Sequence, residues 1–469
     1  MKTERAADAA AVRAALDDAC FGLDRRSPEM SARRVMTAPQ LLALGLLAIV
    51  LWFALDRAPD PTVGVLRMMG LIFFGAAVVL RLFAVVVAIV GKAEAGPGWR
   101  TPLPRYTILC PLHREAASVT TLIEALQGLD YPADLRDVKL VLEADDGATL
   151  AALLATSLPV GFEIVIVPTA HPRTKPKALN YALKFARGDF VAIYDAEDRP
   201  HPQQLRAALD AFARGGETLG AVQAPLLIDN VNAGWIASQF AAEYVVQFRG
   251  ILPLLARIGA PLPLGGASNH FRRAALEDAG GWDSWNVTED ADLAYRLARR
   301  GWRLGVIAPP TWEEAPARFR VWRRQRTRWI KGHVQTWLVL MRRPDRTISQ
   351  LGWRGFLWMQ LVLGGGIVAA FAHAPLLLWL LTAIVTRDDG LALADWVLAI
   401  GGYATAAAAA LLAATLERNA RLALSALTMP FYWPLASLCA LAAMVEILFR
   451  PHYWAKTDHG LSLRETPSR

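Results

Sequence analysis

The sequence predicts an α/β domain inserted between two groups of membrane-spanning helices, about six spans in all. Long apolar runs lie on both sides of the segment 96–345, and they have the length that a helix needs to cross a bilayer. Between them, short runs rich in β-branched residues alternate with helix-length segments, which is typical of a parallel sheet covered by helices. Hydrophobic residues make up 54% of the 469 residues, a high share for a wholly soluble protein.

The chain begins with a mixed-charge segment, residues 1–36, that is rich in Ala, Arg and Asp. This charged N-terminal arm is helix-prone. It either lies on the membrane surface or forms a poorly ordered leader. Of the two interpretations, we favour the poorly ordered leader.

Two apolar runs follow, and together they predict a transmembrane hairpin over residues 37–92. The runs, 39–55 and 64–90, are each long enough to cross a bilayer. Basic residues precede the first run and follow the second. Because Lys and Arg are enriched in cytoplasmic loops, we expect both ends of the hairpin to lie in the cytoplasm.

The segment 96–345 carries the alternation of strands and helices. The predicted strands are 105–111, 138–143, 163–167 and 190–194, and the helix-length segments include 116–128 and 176–187. Five acidic residues follow these strands: Glu115, Asp145, Asp146, Asp195 and Glu197. Because ligands bind outside the carboxyl ends of parallel strands, the chemistry is expected at this edge of the sheet.

Apolar segments return in residues 350–449 and predict about four spans. Residues 355–386 carry no acidic or basic charge but are too long for one span, so we predict a helical hairpin that turns near Pro375. Two further spans are predicted at about 394–416 and 424–449. An even number of spans returns the tail, residues 450–469, to the cytoplasmic side.

Charge and cysteine content exclude several classes of function. The formal charge is +8 and the pI about 9.6, but the basic residues cluster beside apolar spans, so we predict no nucleic-acid partner. The cysteines Cys20, Cys110 and Cys439 are far apart in the sequence. Their spacing predicts neither a disulfide framework nor a zinc site.

The pair Asp195 and Glu197 follows a predicted strand. Two carboxylates at i and i+2 beyond a strand can share one Mg²⁺ or Mn²⁺, since these ions prefer carboxylate and phosphate oxygens. A metal in this position would neutralise charge on a leaving nucleoside diphosphate. The alternative is a turn whose acidic residues cap the next helix, and Asp198 is better explained as such an N-cap.

A second acidic pair, Glu289 and Asp290, follows Thr288 and opens a predicted helix. A carboxylate at a helix N-terminus is favoured in its ionised form by the helix dipole. Such a group can act as the base that deprotonates a sugar hydroxyl. The alternative is a capping box, and one of the two acids can cap while the other acts as a base.

Gln325, Arg328 and Trp329 lie in a segment rich in Trp and Arg. Indole rings stack on the apolar faces of sugars, and Arg or Gln donors reach hydroxyl and phosphate oxygens. A basic, Trp-bearing helix at the membrane interface explains the same residues, and the two interpretations are compatible. Lys175 and Lys177 either bind a diphosphate or form the solvated start of a helix.

In their order along the chain, these motifs resemble those of the membrane-embedded family 2 glycosyltransferases, which include cellulose, chitin, hyaluronan and curdlan-type synthases. Within that class the sequence is most similar to bacterial exopolysaccharide synthases of the phage-adsorption inner-membrane type. The resemblance covers about residues 100–340. It implies a GT-A fold, a Rossmann-like α/β domain, on the cytoplasmic side of the membrane.

The predictions and the resemblance together assign roles to individual residues. The nucleotide-binding residues would be Glu115, Asp145, Asp146, Lys177 and Asp195. The metal ligands would be Asp195 and Glu197, with Glu replacing the second Asp of the family's motif. The acceptor-binding residues would be Glu289, Gln325, Arg328 and Trp329, with Asp290 as the general base. The tail residues that resemble a gating loop over the nucleotide are Trp454, Lys456, Thr457, His459 and Gly460.

The resemblance implies an inverting glycosyltransferase that uses a UDP-sugar and Mg²⁺ or Mn²⁺ to extend a β-linked polysaccharide at the bacterial inner membrane. We expect processive extension coupled to export, with membrane lipids and export proteins as partners. Two alternatives stay open. One is the transfer of a single sugar to a polyprenyl phosphate or another lipid, and the other is a catalytically silent secretion or receptor scaffold.

Overall fold

The short apolar runs of the central segment form strands, as their β-branched content favours. The computed structural model of the protein describes residues 2–90, 98–100, 102–386 and 392–456. Its strands are β1 (Tyr106–Leu112), β2 (Arg136–Glu143), β3 (Phe162–Val167), β4 (Phe190–Ile193), β5 (Arg199–Pro200), β6 (Leu219–Gln223), β7 (Leu226–Ile228), β8 (Asn269–Arg272), β9 (Arg303–Val306) and β10 (Thr311–Glu313).

Seven of these strands form one sheet in the order β3-β2-β1-β4-β8-β6-β9, and the other three form a small sheet in the order β5-β10-β7. In the large sheet, β8 is antiparallel to its neighbours β4 and β6, and the other pairs are parallel. Successive side chains are buried on opposite faces, with Leu109 and Val141 in one core and Ile108 and Leu140 in the other. A sheet buried on both faces confirms the predicted α/β class.

The helices lie on both faces of the sheet and in the two flanking regions. They are α1 (Lys2–Arg26), α2 (Ala38–Arg57), α3 (Pro59–Val90), α4 (Val119–Gln127), α5 (Gly147–Leu154), α6 (Lys175–Leu183), α7 (Gln204–Gly215), α8 (Trp235–Val246), α9 (Leu252–Arg257), α10 (Arg273–Asp278), α11 (Glu289–Arg299), α12 (Phe319–Leu340), α13 (Pro344–Met359), α14 (Gly365–Thr386), α15 (Leu393–Leu416), α16 (Ala420–Tyr432) and α17 (Leu435–Phe449). Short π-helical segments join α8 to α9 and α13 to α14.

Helix α1 docks on the α/β domain, so the interpretation of the N-terminal arm as a poorly ordered leader is wrong. The hydroxyl of Ser284 donates to the carbonyl oxygen of Ala19 (2.5 Å), and Cys20 beside it is buried. Further along the arm, the backbone N–H of Ala32 donates to the carboxylate of Asp283. A buried stripe of small and apolar side chains holds the arm in place, and its mixed-charge composition concealed this stripe.

Four of the described helical segments are long and apolar enough to cross a membrane: Ala38–Arg57, Pro59–Val90, Pro344–Thr386 and Leu393–Leu416. The pair α16 and α17, bent by 55°, could supply a fifth span. The described residues thus hold four or five candidate spans, against about six in the sequence prediction.

The difference arises at Pro375, where the predicted hairpin does not form and α14 continues through the proline. Proline lacks the N–H that would pair with the carbonyl of Phe371 four residues earlier. The hydroxyl of Ser437 in α17 approaches that carbonyl (3.4 Å) and donates to the carbonyl of Ala370 (2.8 Å). Because a neighbouring helix supplies this donor, a proline is tolerated inside the span.

Both ends of the α16–α17 pair lie against the α/β domain. Arg421 near the start of α16 donates to the carbonyl of Asn232 (3.4 Å), and Glu446 near the end of α17 pairs with Lys331 of α12 (2.8 Å). A bent pair with both ends on one side enters the membrane and returns, so these contacts favour a re-entrant pair over a crossing. If the four candidate spans all cross, the arm and the described part of the tail would lie on the same side.

Candidate active site

Asp195 lies just beyond β4, at the carboxyl end of the strand. Its backbone N–H donates to Oδ2 of Asp198 (2.9 Å). Burial, followed by the charges of Asp195 and Glu197, raises the pKa of Asp198 well above its usual range. Asp198 therefore shapes the turn that presents Asp195. It is not the helix N-cap that the sequence predicted, because α7 begins only at Gln204.

Helix α6 directs its two lysines to different places. The Nζ of Lys175 lies 2.5 Å from Oδ1 of Asp195 and donates to the carbonyl of Gly266 (2.6 Å). Lys177 is fully buried, with its Nζ 2.6 Å from Oε1 of Glu143. Residues two apart on a helix point about 200° apart, so only one lysine can face Asp195. The structure places Lys175 there, and Lys177, the predicted nucleotide ligand, lies in the interior.

Glu289 and Asp290 form the first turn of α11 and are only 2% and 4% exposed. The indole N–H of Trp282 donates to Oδ1 of Asp290 (3.3 Å). Burial, and then the charge of Glu289, raises the pKa of Asp290 well above its usual range, while Lys175 acts in the opposite direction. Burial raises the pKa of Glu289 as well. Asp290 thus ionises at a higher pH than an exposed aspartate, and the ionised form is a stronger base.

Helix α12 presents Gln325, Arg328 and Trp329 to the same space. The ring of Trp329 packs nearly parallel to that of Tyr244 (centroids 6.3 Å apart, 25° between planes). Arg328 donates to the carbonyl of Val287, immediately before the α11 acids (3.3 Å). An indole held by a second aromatic ring at a cavity wall can stack on a sugar ring.

The C-terminal tail lies across this space. The ring of Trp454 is 4.7 Å from the guanidinium carbon of Arg328. The Nζ of Lys456 lies 2.7 Å from Oε1 of Glu115 and donates to the carbonyl of Arg114 (3.0 Å). Three of the predicted gating residues lie outside the described residues: Thr457, His459 and Gly460.

A cavity of about 540 Å³ connects these groups. Its charged part is lined by Lys175, Asp195, Glu197, Glu289 and Asp290. Its apolar part is lined by Val362, Leu363 and Gly366, which belong to a candidate membrane span. The cavity therefore reaches from the carboxylates at the sheet edge to the membrane helices.

A second cavity, of about 560 Å³, lies on the other side of Trp454. It is lined by the predicted nucleotide residues Asp145 and Asp146. Asp145 forms a salt bridge with Arg173, and Asp146 caps α5 by accepting from the backbone N–H of Thr149 (3.3 Å). The structure brings both acids to the side of the sheet that holds Asp195.

A profile match decides the family. The profile of the glycosyl transferase family group 2 matches residues 190–449, more than half of the chain. The chain belongs to this family. It is a glycosyltransferase, and the prediction of an enzyme of this class is confirmed.

Two curated relatives of this glycosyltransferase match about half of its length. It is 27% identical over 250 residues to the probable glycosyltransferase YdaM of Bacillus subtilis (strain 168), covering 50% of this chain and 58% of that protein. It is 28% identical over 278 residues to a beta-monoglucosyldiacylglycerol synthase of Synechocystis sp., covering 57% of each. The chain thus spans little more than half the length of these relatives.

A solved structure shares the fold of the glycosyltransferase. A mannosyltransferase from Pyrobaculum calidifontis, in complex with GDP-Man and Mn²⁺, aligns with a TM-score of 0.51 and 23% identity. The alignment covers 81% of this chain and 98% of that one. This likeness confirms the GT-A fold that the sequence resemblance implied.

The carboxylates of Asp195 and Glu197 fit a divalent cation in a glycosyltransferase. Among the residues that the structure describes, no group of three or more His, Cys, Asp and Glu side chains is arranged to hold a metal alone. Mg²⁺, however, usually binds through one or two carboxylates together with substrate phosphates and water. Asp195 already attracts the ammonium of Lys175. The two carboxylates at the cavity wall are therefore the residues that would hold the predicted Mg²⁺ or Mn²⁺ together with substrate phosphates.

The lining residues of the glycosyltransferase cavity that the sequence did not predict include Glu243, Tyr244 and His333. His333 lies one helical turn after Trp329, so the i, i+4 spacing of α12 could have identified it. Burial lowers the pKa of His333 to about 4, which leaves its imidazole neutral at physiological pH. Glu243 and Tyr244 belong to the largely apolar α8, where no local pattern marks them.

Gly332 sets the distance between α12 and the α11 acids. A Cβ at this position would lie 2.4 Å from Oγ1 and 2.8 Å from Cβ of Thr288, so one helix would have to shift. We expect Gly332→Ala to lower kcat for sugar transfer at least about tenfold, because displacing a catalytic group by about 1 Å can cost about 100-fold. The measurement is nucleotide release. Gly401→Ala is the control, since nothing lies within 4 Å of its added Cβ; equal kcat values for the two variants would contradict the prediction.

The raised pKa of Asp290 predicts the pH dependence of transfer. A general base must be ionised, and a carboxyl group with a raised pKa loses its proton only above the ordinary Asp value of about 3.9. We therefore expect kcat/KM to fall with decreasing pH already above that value. The measurement is a pH profile of nucleotide release, with the exposed-carboxylate variant Glu277→Gln as the control. An acidic limb at or below the ordinary Asp pKa would refute the assignment.

Proposed function

We propose that the protein is an inverting glycosyltransferase of the bacterial inner membrane that moves a sugar from a UDP-sugar to a growing β-linked polysaccharide. One observation carries this proposal. The charged residues around Asp195 and Asp290 and the α12 residues around Trp329 line one cavity, and that cavity reaches a candidate membrane span. With basic residues beside the spans, the α/β domain would lie in the cytoplasm, where nucleotide sugars are made.

In the proposed reaction, Asp290 accepts the proton of an acceptor hydroxyl while the hydroxyl oxygen attacks the anomeric carbon of the donor. The bond between the anomeric carbon and the diphosphate oxygen breaks, and its electron pair leaves with UDP. A single displacement inverts the configuration, so an α-linked donor gives a β-linked product. Glu289 would hold the acceptor beside the base.

Lys175 would compensate the charge of the departing diphosphate, a role that the position of its ammonium in the cavity beside Asp195 supports. A divalent cation held by Asp195 and Glu197 would supply further electrostatic stabilisation of the leaving diphosphate. Glu115, Asp145 and Asp146 would bind the nucleoside (they lie on the same side of the sheet). The tail residues that resemble a gating loop would close over the nucleotide: Trp454, Lys456, Thr457, His459 and Gly460.

The acceptor would occupy the part of the cavity next to α12. Trp329 would stack on a sugar ring of the growing chain, with Gln325 and Arg328 donating to its oxygens. Repeated additions require the chain to move on after each transfer, so the product would pass towards the membrane helices. Export proteins are the expected partners for this step.

A second candidate function is the transfer of one sugar to a lipid. The apolar lining by Val362 and Leu363 supports it, since a lipid acceptor would bring its chains to that end of the cavity. The name of the Synechocystis relative, a beta-monoglucosyldiacylglycerol synthase, supports it as well. Product length separates the two candidates.

The test is nucleotide release by the purified protein in nanodiscs, with a panel of UDP-sugars and GDP-mannose, with Mg²⁺ or Mn²⁺, followed by sizing of the product. A long product that a β-glycosidase degrades, made with one donor, would support polysaccharide synthesis. A singly glycosylated lipid would move the assignment to the second candidate. Release from a GDP donor alone would overturn the choice of UDP. A rate equal to that of Asp290→Asn with every donor would overturn both candidates.

A further inference from the structure

Arg81 is a cationic side chain in a candidate membrane span, and no carboxylate among the described residues forms a salt bridge with it. It lies nine residues before the end of α3, roughly 13 Å along the helix axis, and is partly buried. Within the described part of the chain its guanidinium forms no salt bridge, and it lies 4.8 Å from the ring centroid of Trp433. Arg67 of the same helix, by contrast, pairs with Asp395 of α15.

The side chain of Arg81 points into the helix bundle. Trp433 stands at the break between α16 and α17, and Tyr403 of α15 stacks on it (5.8 Å, 23°). His373 of α14 packs against the same indole (5.1 Å). Arginines that serve only to reach the membrane surface extend towards the headgroups, whereas Arg81 lies against Trp433, on which His373 and Tyr403 also pack.

The acidic side chain whose field reaches Arg81 is Glu243, but its charge is already compensated. Glu243 forms a salt bridge with Arg326 and accepts from the hydroxyl of Tyr432 (3.0 Å). A cation in a membrane span without a paired anion is costly, and such residues usually mark a site. The charge of Arg81 therefore calls for an anion from outside the described residues.

The position of Arg81 indicates where that anion comes from. Ala84, one turn away on α3, packs closely on Gly250 of the α/β domain. A Cβ added at Gly250 would lie only 3.0 Å from the carbonyl oxygen of Ala84. Arg81 thus lies where the domain meets the span. Glu243, whose charge acts on Arg81, lines the catalytic cavity.

We propose that Arg81 binds the phosphate of a membrane lipid, which enters between α3 and the re-entrant α16–α17 pair. A guanidinium binds phosphate through two parallel N–H donors, and Trp433 holds its plane from one side. His373 and Tyr403 bring an imidazole and a hydroxyl to the same indole and would add donors. The phosphate belongs either to a phospholipid that stays bound or to a lipid-linked acceptor. This site is independent of the sugar that the enzyme transfers.

The experiment measures retained lipid and not turnover. Wild type, Arg81→Gln, Arg81→Lys and the control Arg57→Gln, an exposed arginine of α2, are purified in a mild detergent and examined by native mass spectrometry and phosphorus analysis. Thermal unfolding of each variant shows whether it is folded. We expect wild type, Arg81→Lys and Arg57→Gln to retain phosphate-bearing lipid, and Arg81→Gln to retain at least about tenfold less, as for the loss of a charge-assisted hydrogen bond. Equal retention by wild type and Arg81→Gln, or no retained phosphorus in wild type, would overturn the proposal.

A second arm separates the two sources of phosphate and does not depend on the folding of a variant. Short-chain phosphatidylglycerol, phosphatidylcholine and a short polyprenyl phosphate are each added to delipidated wild type, and the shift in unfolding temperature is measured. If a phospholipid raises the unfolding temperature and stays bound while the enzyme turns over, the site holds a resident lipid. Stabilisation by the polyprenyl phosphate alone, followed by its appearance in the product, identifies an acceptor. No shift with any of the three contradicts the site.

Discussion

Replacement of Asp290 by Asn is expected to lower kcat for sugar transfer by about 10²–10⁴-fold, the range that a general base contributes. The amide has nearly the same size as the carboxyl group but cannot take the proton of the acceptor hydroxyl. Binding of UDP, measured by calorimetry, should be unchanged because the change lies at the acceptor side of the cavity. A variant with normal kcat would remove Asp290 from the proposed mechanism.

The stability of Asp290→Asn, unlike its kcat, should not fall. Because burial raises the pKa of Asp290, its ionised form is less favourable in the folded protein than in the unfolded chain, and stability falls as the pH rises through the folded pKa. Asn removes this cost, so at neutral pH the unfolding temperature of Asp290→Asn should equal or exceed that of the wild type. Loss of both activity and stability would instead indicate a damaged fold. Glu277→Gln, an exposed position, should leave both unchanged.

Replacement of Asp195 by Asn is expected to lower kcat by about 10²–10³-fold, as the removal of one preorganised electrostatic group does. The change removes a carboxylate that fits the cation and leaves Lys175 without its partner at 2.5 Å. Binding of Mn²⁺ in the presence of UDP, followed by electron paramagnetic resonance, should weaken together with the rate.

Asp189→Asn provides a matched control, because Asp189 is exposed at the opposite end of β4. It should leave Mn²⁺ binding and kcat as in the wild type. If Asp195→Asn also bound Mn²⁺ normally, the cation would have to lie elsewhere, and Asp195 would act only through Lys175.

Four of the ten strands, β1 to β4, were predicted because their signal is local, whereas β5 to β10 were not. The run that forms β2 is apolar and β-branched, and the structure extends it by only two residues at its start. The continuation of α14 through Pro375 was not predictable, because the donor that compensates the proline is Ser437, 62 residues away in the sequence. The docked arm was missed for the same reason, since its partners Asp283 and Ser284 lie more than 250 residues further on.

The candidate site divides in the same way. The order of these motifs along the chain predicted that the two acidic pairs and the residues Gln325, Arg328 and Trp329 belong to one site. The structure places them around one cavity. Which of Lys175 and Lys177 faces that cavity depends on how α6 is rotated about its axis. That rotation is set by tertiary packing, and the sequence assignment therefore chose Lys177, the lysine that lies in the interior. Glu243 lines the cavity because α8 packs against it, and that packing is likewise tertiary.

The N-terminal arm can dock only late in the synthesis of the protein. Chains emerge from the ribosome N-terminus first. The arm and the first two candidate spans are therefore synthesised long before Asp283. The carboxylate of Asp283 accepts the hydrogen bond from the backbone N–H of Ala32, which lies 251 residues earlier in the sequence. During this interval the arm has no surface to bind. Protection of the arm from proteases therefore begins only when the segment around Asp283 and Ser284 has folded, so cleavage within the first helix reports on the folding of the α/β domain.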